Sequence, residues 1–568
     1  MMQQIIINQS ETIDAKTSMS SVEINIDNNS DNNSDKSSDN STENSTDKNT
    51  DSKNQTNNAF VLNAVDLLQQ EFLQHMDVED DLSIEELLVW LVDNGMQTQG
   101  HFRQALNATL TRLLTDLDKI LNRTMNNIIH HNKFQRLEAS WRGVHYLVQQ
   151  EQAIDREELI QVRMLSISWQ EISRDFSRAI EFDQSNLYRL IYSNEFGQAG
   201  GQPFGLLLGD YQITNRIQPG NSLSDIDILR NMTQVSAAAF APFVVSASPQ
   251  FFGVNSFAEL GLGVDIDKHF EQLEYMQWRR LRETEDARYL GLTVPYMLMR
   301  SPYLDDGRFH HQFRFRERIE NAEQDNLWGN IGYSFAVILM RSFASSKWFA
   351  QIRGVNQGEI SRGLVDQFPH HYLGAGSSLS MNCDVYKRRN QIPLNMYVSE
   401  RLEKQFSEAG FIPLSVLQHT DKLAFFSNSS VQKAVNYIHS GVQVTTDAKI
   451  AQVNARLATM LQYILCVSRF AHAIKVIGRE KVGSYLTAQQ IQGDIQKWLQ
   501  GYTAAAGSAS DEVRSKRPLS EARVEVHEVK GKTGHFYSVI HLKPHFQLDQ
   551  MVSSIRLITE LASSDVAV

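Results

Sequence analysis

Apolar residues recur at steps of three and four in two consecutive stretches of the chain. Leu106, Leu110, Leu113, Leu117 and Ile120 make the first stripe, and Phe134, Leu137, Trp141, Val144 and Val148 make the second. This period predicts two helices, each with one apolar face. Matching stripes on neighbouring helices suit an antiparallel pair or a docking surface for another helix. In the second, Glu138 stands four residues before Arg142, the favourable order for an intrahelical ion pair. Gly143 costs about 1 kcal/mol relative to Ala in a helix interior, so its place beside Trp141 predicts close approach by another backbone. A shorter amphipathic stretch, 60–76, comes before both.

The middle of the chain alternates. Residues 159–167 read as a strand, 169–192 as a helix, and FGLLLGD (204–210) as a buried strand. Helical patterns follow at 226–243, 265–282 and 331–349, with an extended run at 292–299, then a helix at 398–409 and an extended piece at 411–417. Strands alternating with helices of this length predict an α/β, mixed α+β core with a partly parallel sheet. Toward the C-terminus, Ile450, Val453, Leu457, Met460, Ile464, Val467, Phe470, Ile474 and Ile477 predict one long helix stopped by Gly478. Two period-two runs, 522–529 and 536–542, then predict a hairpin, with Val524 and Val526 on one side of the first strand and Phe536, Ser538 and Ile540 on one side of the second. An amphipathic tail, 546–561, closes the chain. The expected parts are a tail (1–58), a helical partner-binding region (59–155), an α/β middle (156–395) and a C-terminal part with the long helix and hairpin (396–568).

Composition changes this picture at one end. Residues 1–58 form an Asn/Ser/Asp/Thr-rich tract with ten acidic and four basic residues, half of the net charge of −12 carried by all 568 residues. Such composition predicts a disordered tail. The rest lacks the basic footprint of a nucleic-acid binder, and its apolar runs fall far short of the ~20 residues of a membrane span. Of the two cysteines, Cys383 and Cys466, the second sits in an apolar helical stripe and reads as a buried free thiol.

Candidate chemistry is thin. Gly531-Lys532-Thr533-Gly534 lies between two strand patterns and lacks the earlier glycine of a phosphate loop, so it reads as a hairpin turn. The pairs His130–His131, His310–His311 and His370–His371 have no metal-ligand spacing. Phe313–Arg318 alternates aromatics and arginines among acidic residues, which reads as a strand with one buried and one salt-bridged face. No catalytic, cofactor-binding or metal residue is nominated. The glycine-rich loop 192–210 leaves an α/β enzyme as the alternative, and a non-contractile shell or adaptor protein is another.

Several motifs carry a resemblance. LEASWRG (137–143), FGLLLGD (204–210), APF (241–243), FFG (251–253), RSPY (300–303), FRFRE (313–317), LWGNIGYSFA (327–336), SSKWFAQIRG (345–354), EAGFIPL (408–414), ILCVSRFAHAIKVIGREKVGSY (464–485) and LKPHFQLDQMVSSIRLI (542–558) occur in this order. Together they resemble the large sheath subunit of bacterial type VI secretion systems, the TssC/VipB family. The run around Cys383 departs from the family pattern, and the long polar tail is not a family feature. The resemblance implies a contractile-tail-sheath-like fold and a structural, non-enzymatic, cytoplasmic protein needing no cofactor, in an apparatus docked at the inner membrane. Implied partners are a small sheath subunit, further copies in a helical sheath, an inner tube protein, a baseplate and an AAA+ unfoldase, with no nucleic acid and no membrane insertion. It also implies that strands of neighbouring subunits join the hairpin, at Val524, Val526, Phe536, Ser538 and Ile540. The helical stripes supply the expected small-subunit contacts: Leu106, Leu110, Leu113, Leu117, Leu137 and Trp141. The stretch 60–76 is the expected unfoldase handle.

Overall fold

The structure is a computed structural model that describes residues 3–9 and 102–561, apart from 304–312, 355–362, 366–392, 418–421, 436–450, 482–486, 505–510, 529–535, 546–554 and isolated positions. A strand, β1 (Gln3–Gln9), precedes two long helices, α1 (Phe102–Ile129) and α2 (Asn132–Ile154). Phe102–Arg123 of α1 belongs to a separate unit from the main body, which takes in the rest of the helix. The main body continues with β2 (Ile160–Ser166), α3 (Trp169–Arg178), β3 (Phe204–Ile213), α4 (Asp225–Ala239), β4 (Phe243–Ala247), α5 (Met276–Glu283), β5 (Leu290–Val294), β6 (Tyr296–Leu298), β7 (Trp328–Asn330), α6 (Gly332–Ser346), α7 (Glu400–Glu408) and β8 (Phe411–Pro413). It ends with α8 (Leu461–Lys481), α9 (Ala488–Gln500), β9 (Leu519–Glu528), β10 (Phe536–Pro544) and β11 (Ile555–Leu561).

The central sheet has the order β2-β1-β3-β4-β5-β8. Strands β3, β4, β5 and β8 are parallel, and β1 runs antiparallel to both its neighbours. Period-two alternation divides the strand side chains between two cores. Leu207, Tyr211, Phe243 and Val245 join α3, α4 and an aromatic cluster around Phe251, Trp278 and Phe411. Leu206, Leu208, Val244 and Ile412 join α2 and α6 on the other side. Burial on both faces is why these strands read as continuous apolar runs.

A third core holds the C-terminal part. Cys466, Phe470 and Ile474 of α8, Ile491, Ile495 and Leu499 of α9, and Val524, Val526, Ile540 and Leu542 of the antiparallel sheet β9-β10-β11 meet there. Leu461 and Leu465, one face of α8, belong instead to the core shared with α2 and α6. A helix apolar on several faces is a buried one, and α8 stitches the two cores together.

Several expectations shift. Gly478 lies inside α8 and does not end it, because the helix runs on through polar residues to Lys481. The helix expected over 169–192 breaks after Arg178 and resumes as short turns at 186–196, and that over 265–282 breaks after His269. The helix expected to reach residue 243 stops at Ala239, where Phe240 adopts φ 50° before β4 begins. The described part of 313–318 is irregular and not a strand. Within 546–561, the described residues are the strand β11. Gln3–Gln9, inside the stretch expected as a tail, pairs as a strand through its Ile-Ile-Ile run, whereas 10–58 lie outside the described residues. Strand β8, which the sequence reading put in the C-terminal part, lies at the edge of the central sheet.

Candidate functional site

Helix α2 presents two different faces. Ala139, Ser140, Gly143, Val144 and Leu147 are buried against the main body. A Cβ on Gly143 would stand 2.3 Å from Cε2 of Tyr333, so the glycine makes room for an aromatic ring from α6. The close approach expected at Gly143 is therefore to a ring and not to a backbone. On the other side Phe134, Leu137, Trp141 and Val148 are 40, 42, 53 and 37% exposed, whereas Val144, expected in the same stripe, turns inward and is buried. Met125 and Ile128, in the last turns of α1, are also exposed, as are Leu114 and Leu117 further back. Four large apolar side chains in one stripe of a helix are surface that a monomer rarely leaves in water.

Two polar networks hold the buried face. In the first, the Arg300 guanidinium donates to Glu138 at 2.8 Å and to both oxygens of Glu317. Glu138 also accepts from Arg142 at 2.8 Å, so the expected intrahelical pair is present. Arg142 reaches the Tyr303 hydroxyl at 3.0 Å, and Arg300 lies 4.4 Å from the Tyr303 ring centre. His130, at the turn between α1 and α2, contacts Glu317 at 3.2 Å. Burial by itself lowers the Arg300 pKa, but the carboxylates of Glu317 and Glu138 outweigh it and raise the value. The arginine is thus a fixed cation.

In the second network Asp210, at the end of FGLLLGD, accepts from the Ser140 hydroxyl. Burial pushes its carboxyl above the usual range, opposed by hydrogen bonds from Ser140, Tyr333 and Asn330. Asn330 donates to the Gly209 carbonyl at 3.0 Å and accepts from the Gly332 N–H at 2.7 Å. LEASWRG, RSPY and FRFRE thus converge on one network, and LEASWRG, FGLLLGD and LWGNIGY on the other. Both are structural: they clamp α2 so that its apolar stripe faces outward.

The C-terminal hairpin behaves differently. Val524, Val526, Ser538 and Ile540 are 1, 7, 0 and 0% exposed, and the three aliphatic side chains point into the chain's own core. Strand β10, which carries Phe536, Ser538 and Ile540, is already flanked by β9 and β11, so it has no free edge of its own. The side chains of Leu106, Leu110, Leu113 and Phe536, and all of 60–76, His310–His311, His370–His371, Cys383 and 531–534, lie outside the described residues.

Among the described residues no group of three or more His, Cys, Asp or Glu side chains is arranged to hold a metal, and no helix is long and apolar enough to cross a membrane. Two open cavities of about 430 and 470 Å³ are lined mainly by polar residues, of 171–186 in one and of 136 and 212–255 in the other. None of these lining residues falls within 192–210, whose described residues include short helix up to Phe196 and strand β3 from Phe204. Cys466 is free and buried, and burial pushes its thiol up to about 12, which keeps it protonated and inert.

The fold and these motifs agree with known proteins. Residues 111–432 match the EvpB/VC_A0108 tail sheath N-terminal domain, and residues 450–561 match the EvpB/VC_A0108 tail sheath gpW/gp25-like domain. The chain belongs to the VipB family of tail sheath proteins. It is 33% identical over 517 residues to the type VI secretion system sheath protein TssC1 of Pseudomonas aeruginosa, covering 90% of this chain and 98% of that protein. The first match covers strands β2 to β8, and the second contains α8, α9 and the sheet β9-β10-β11. The sequence period put Leu137 and Trp141 on one stripe of a helix, and both side chains are exposed on α2. It missed Arg300, Glu317 and Asp210 as members of the clamps, because the contacts that tie them to α2 and to His130 span 70 to 187 residues, and even the Arg300–Glu317 pair spans 17.

Proposed function

We propose that this VipB-family chain is the large structural subunit of a contractile type VI secretion sheath. In this reading it pairs with a small sheath subunit, and the pairs stack helically around an inner tube. Contraction of the lattice drives the tube outward, and an unfoldase then dismantles the spent sheath. The protein acts in the cytoplasm on an apparatus docked at the inner membrane, and it is not an enzyme.

The observation that carries this reading is the outward apolar stripe of α2 in a chain that matches a sheath protein over nearly its full length. Such a stripe fits a partner helix with apolar residues at i, i+3, i+4 and i+7. Strand addition at the C-terminal sheet supplies directional main-chain hydrogen bonds between protomers, which survive a change of lattice packing. Open helical assembly needs such repeated heterologous contacts. The test is to co-express the chain with the gene beside its own that encodes a second sheath protein. A stable complex and cogwheel-profiled tubules by negative-stain microscopy are the expected result. A chain that purifies alone and forms no tubules would overturn it.

A further inference from the structure

The outer edge of β9 is closed by the chain itself. At its start, the Leu519 N–H donates to the Tyr502 carbonyl at 3.2 Å, and the Leu519 carbonyl accepts from the Ala504 N–H at 2.9 Å. This is the bonding of a parallel neighbour, and Thr503 and Leu519 form an isolated parallel bridge. Further along, two glutamines of α9 continue the pattern. The Gln496 carboxamide donates to the Ala522 carbonyl at 2.9 Å and accepts from the Val524 N–H at 3.0 Å. Gln492, one helical turn earlier, accepts from the Val526 N–H at 3.3 Å.

A primary amide offers one carbonyl and an N–H donor, the same groups as a peptide unit. By bonding a carbonyl and the N–H two residues on, Gln496 does what one residue of a parallel strand would do. The spacing of four puts both glutamines on one face of α9, over the strand. Ile491, Ile495 and Leu499 on the adjoining face are buried in the third core, which fixes the helix at this distance. The other side of the sheet is unlike this: β11 is the outermost strand there, and among the described residues no strand pairs with its outer edge.

We propose that Gln492 and Gln496 are edge guards that make strand addition to the C-terminal sheet one-sided. They occupy the hydrogen-bonding positions along β9, so a strand from another sheath subunit enters on the β10–β11 side, beside β11 or in its place. An exposed edge is a template for unwanted pairing, and a side-chain amide closes it without adding a strand. In a lattice that grows by strand sharing, closing one edge sets the direction of linkage and prevents branching. The proposal rests on the sheath-assembly reading above.

Amide hydrogen exchange on the full chain tests it. Gln492→Ala/Gln496→Ala keeps good helix formers in α9 and is expected to speed exchange at Val524 and Val526 at least tenfold, with an unchanged far-UV spectrum. Gln496→Glu retains the acceptor, so Val524 stays protected. In complex with the second sheath protein, the double variant is expected to give bundled or branched aggregates in place of separate tubules. Unchanged exchange at Val524 and Val526 in the double variant would overturn the proposal. So would normal tubules in which these amides regain protection, since β9 would then be accepting a partner strand. If the wild-type chain forms no tubules at all, the assembly reading falls, and the exchange contrast in the isolated chain still decides whether the glutamines guard the edge.

Discussion

Helix α2 and the β9–β10 hairpin were both expected to meet other subunits, yet they offer opposite things. On α2 the expected contact residues Leu137 and Trp141 are 42 and 53% exposed. On the hairpin, Val524, Val526, Ser538 and Ile540 are 7% exposed or less, and the chain's own glutamines bond the outer edge. The helix offers a partner its expected contact side chains, whereas the expected hairpin positions, their side chains buried, offer only main chain. A side-chain substitution therefore probes recognition on α2, but on the hairpin it probes folding first.

The largest effect on folding belongs to the clamp under α2. Arg300→Met leaves Glu317, whose side chain is 1% exposed, as a buried carboxylate without its cation. Removing one member of a buried ion pair costs about 3–5 kcal/mol, expected as a lowered urea midpoint. An unchanged midpoint would mean that α2 is held by apolar packing alone. Next comes Ile540→Ala, which opens a cavity at a position that is 0% exposed. The expected loss is about 2–5 kcal/mol, with tubule formation failing only because the C-terminal part unfolds. A variant that stays stable but no longer assembles would place Ile540 at an interface and erase the contrast with α2.

Local patterns in the sequence carried the helices, the hairpin and the outward stripe. The Glu138–Arg142 pair was legible because it is a matter of spacing on one helix. That Arg300 joins it from 162 residues away was not, since no local period records a tertiary partner. Gly143 signalled close packing, but only the fold shows that the Tyr333 ring fills the space. The alternation of 313–318 suggested a strand, whereas Glu317 is drawn inward to Arg300, and the demand of a buried charge overrides the local period. Val524 and Val526 were correctly placed on one side of a strand. Alternation alone could not tell whether that side faced a partner or the chain's own α8 and α9.

A smaller effect follows from His472 on α8, which bonds the Ala239 carbonyl at 2.9 Å and so ties the C-terminal part to the central-sheet body. Burial holds its pKa down to about 3, helped by the charges of Arg469 and Lys475 and opposed by the Ala239 carbonyl. The unfolded imidazole takes a proton near pH 6.5. Because the unfolded chain binds that proton more readily, this contribution is complete above about pH 6.5 and fades as pH falls toward 3. The loss is about 1.4 kcal/mol per pH unit. Urea midpoints between pH 7 and 5 should fall for the wild type, and the part due to this residue should vanish in His472→Gln. Equal slopes in both would assign the acid sensitivity elsewhere.

The smallest effect on folding is the sharpest test of α2. Trp141 is more than half exposed and makes none of the clamp contacts, so Trp141→Asp should change stability by no more than about 0.5 kcal/mol. At the centre of an apolar docking stripe, though, a tryptophan is typically worth 2 kcal/mol or more of binding, about a 30-fold loss of affinity. The measurement is co-purification with the second sheath protein, read beside a thermal melt of the same preparation. An unchanged melt with lost co-purification separates recognition from folding, as the exposed face of α2 requires. Retained co-purification would move the docking surface off α2. A lowered melt would make Trp141 a packing residue, and α2 would then resemble the hairpin, whose side chains serve the fold and leave recognition to the backbone.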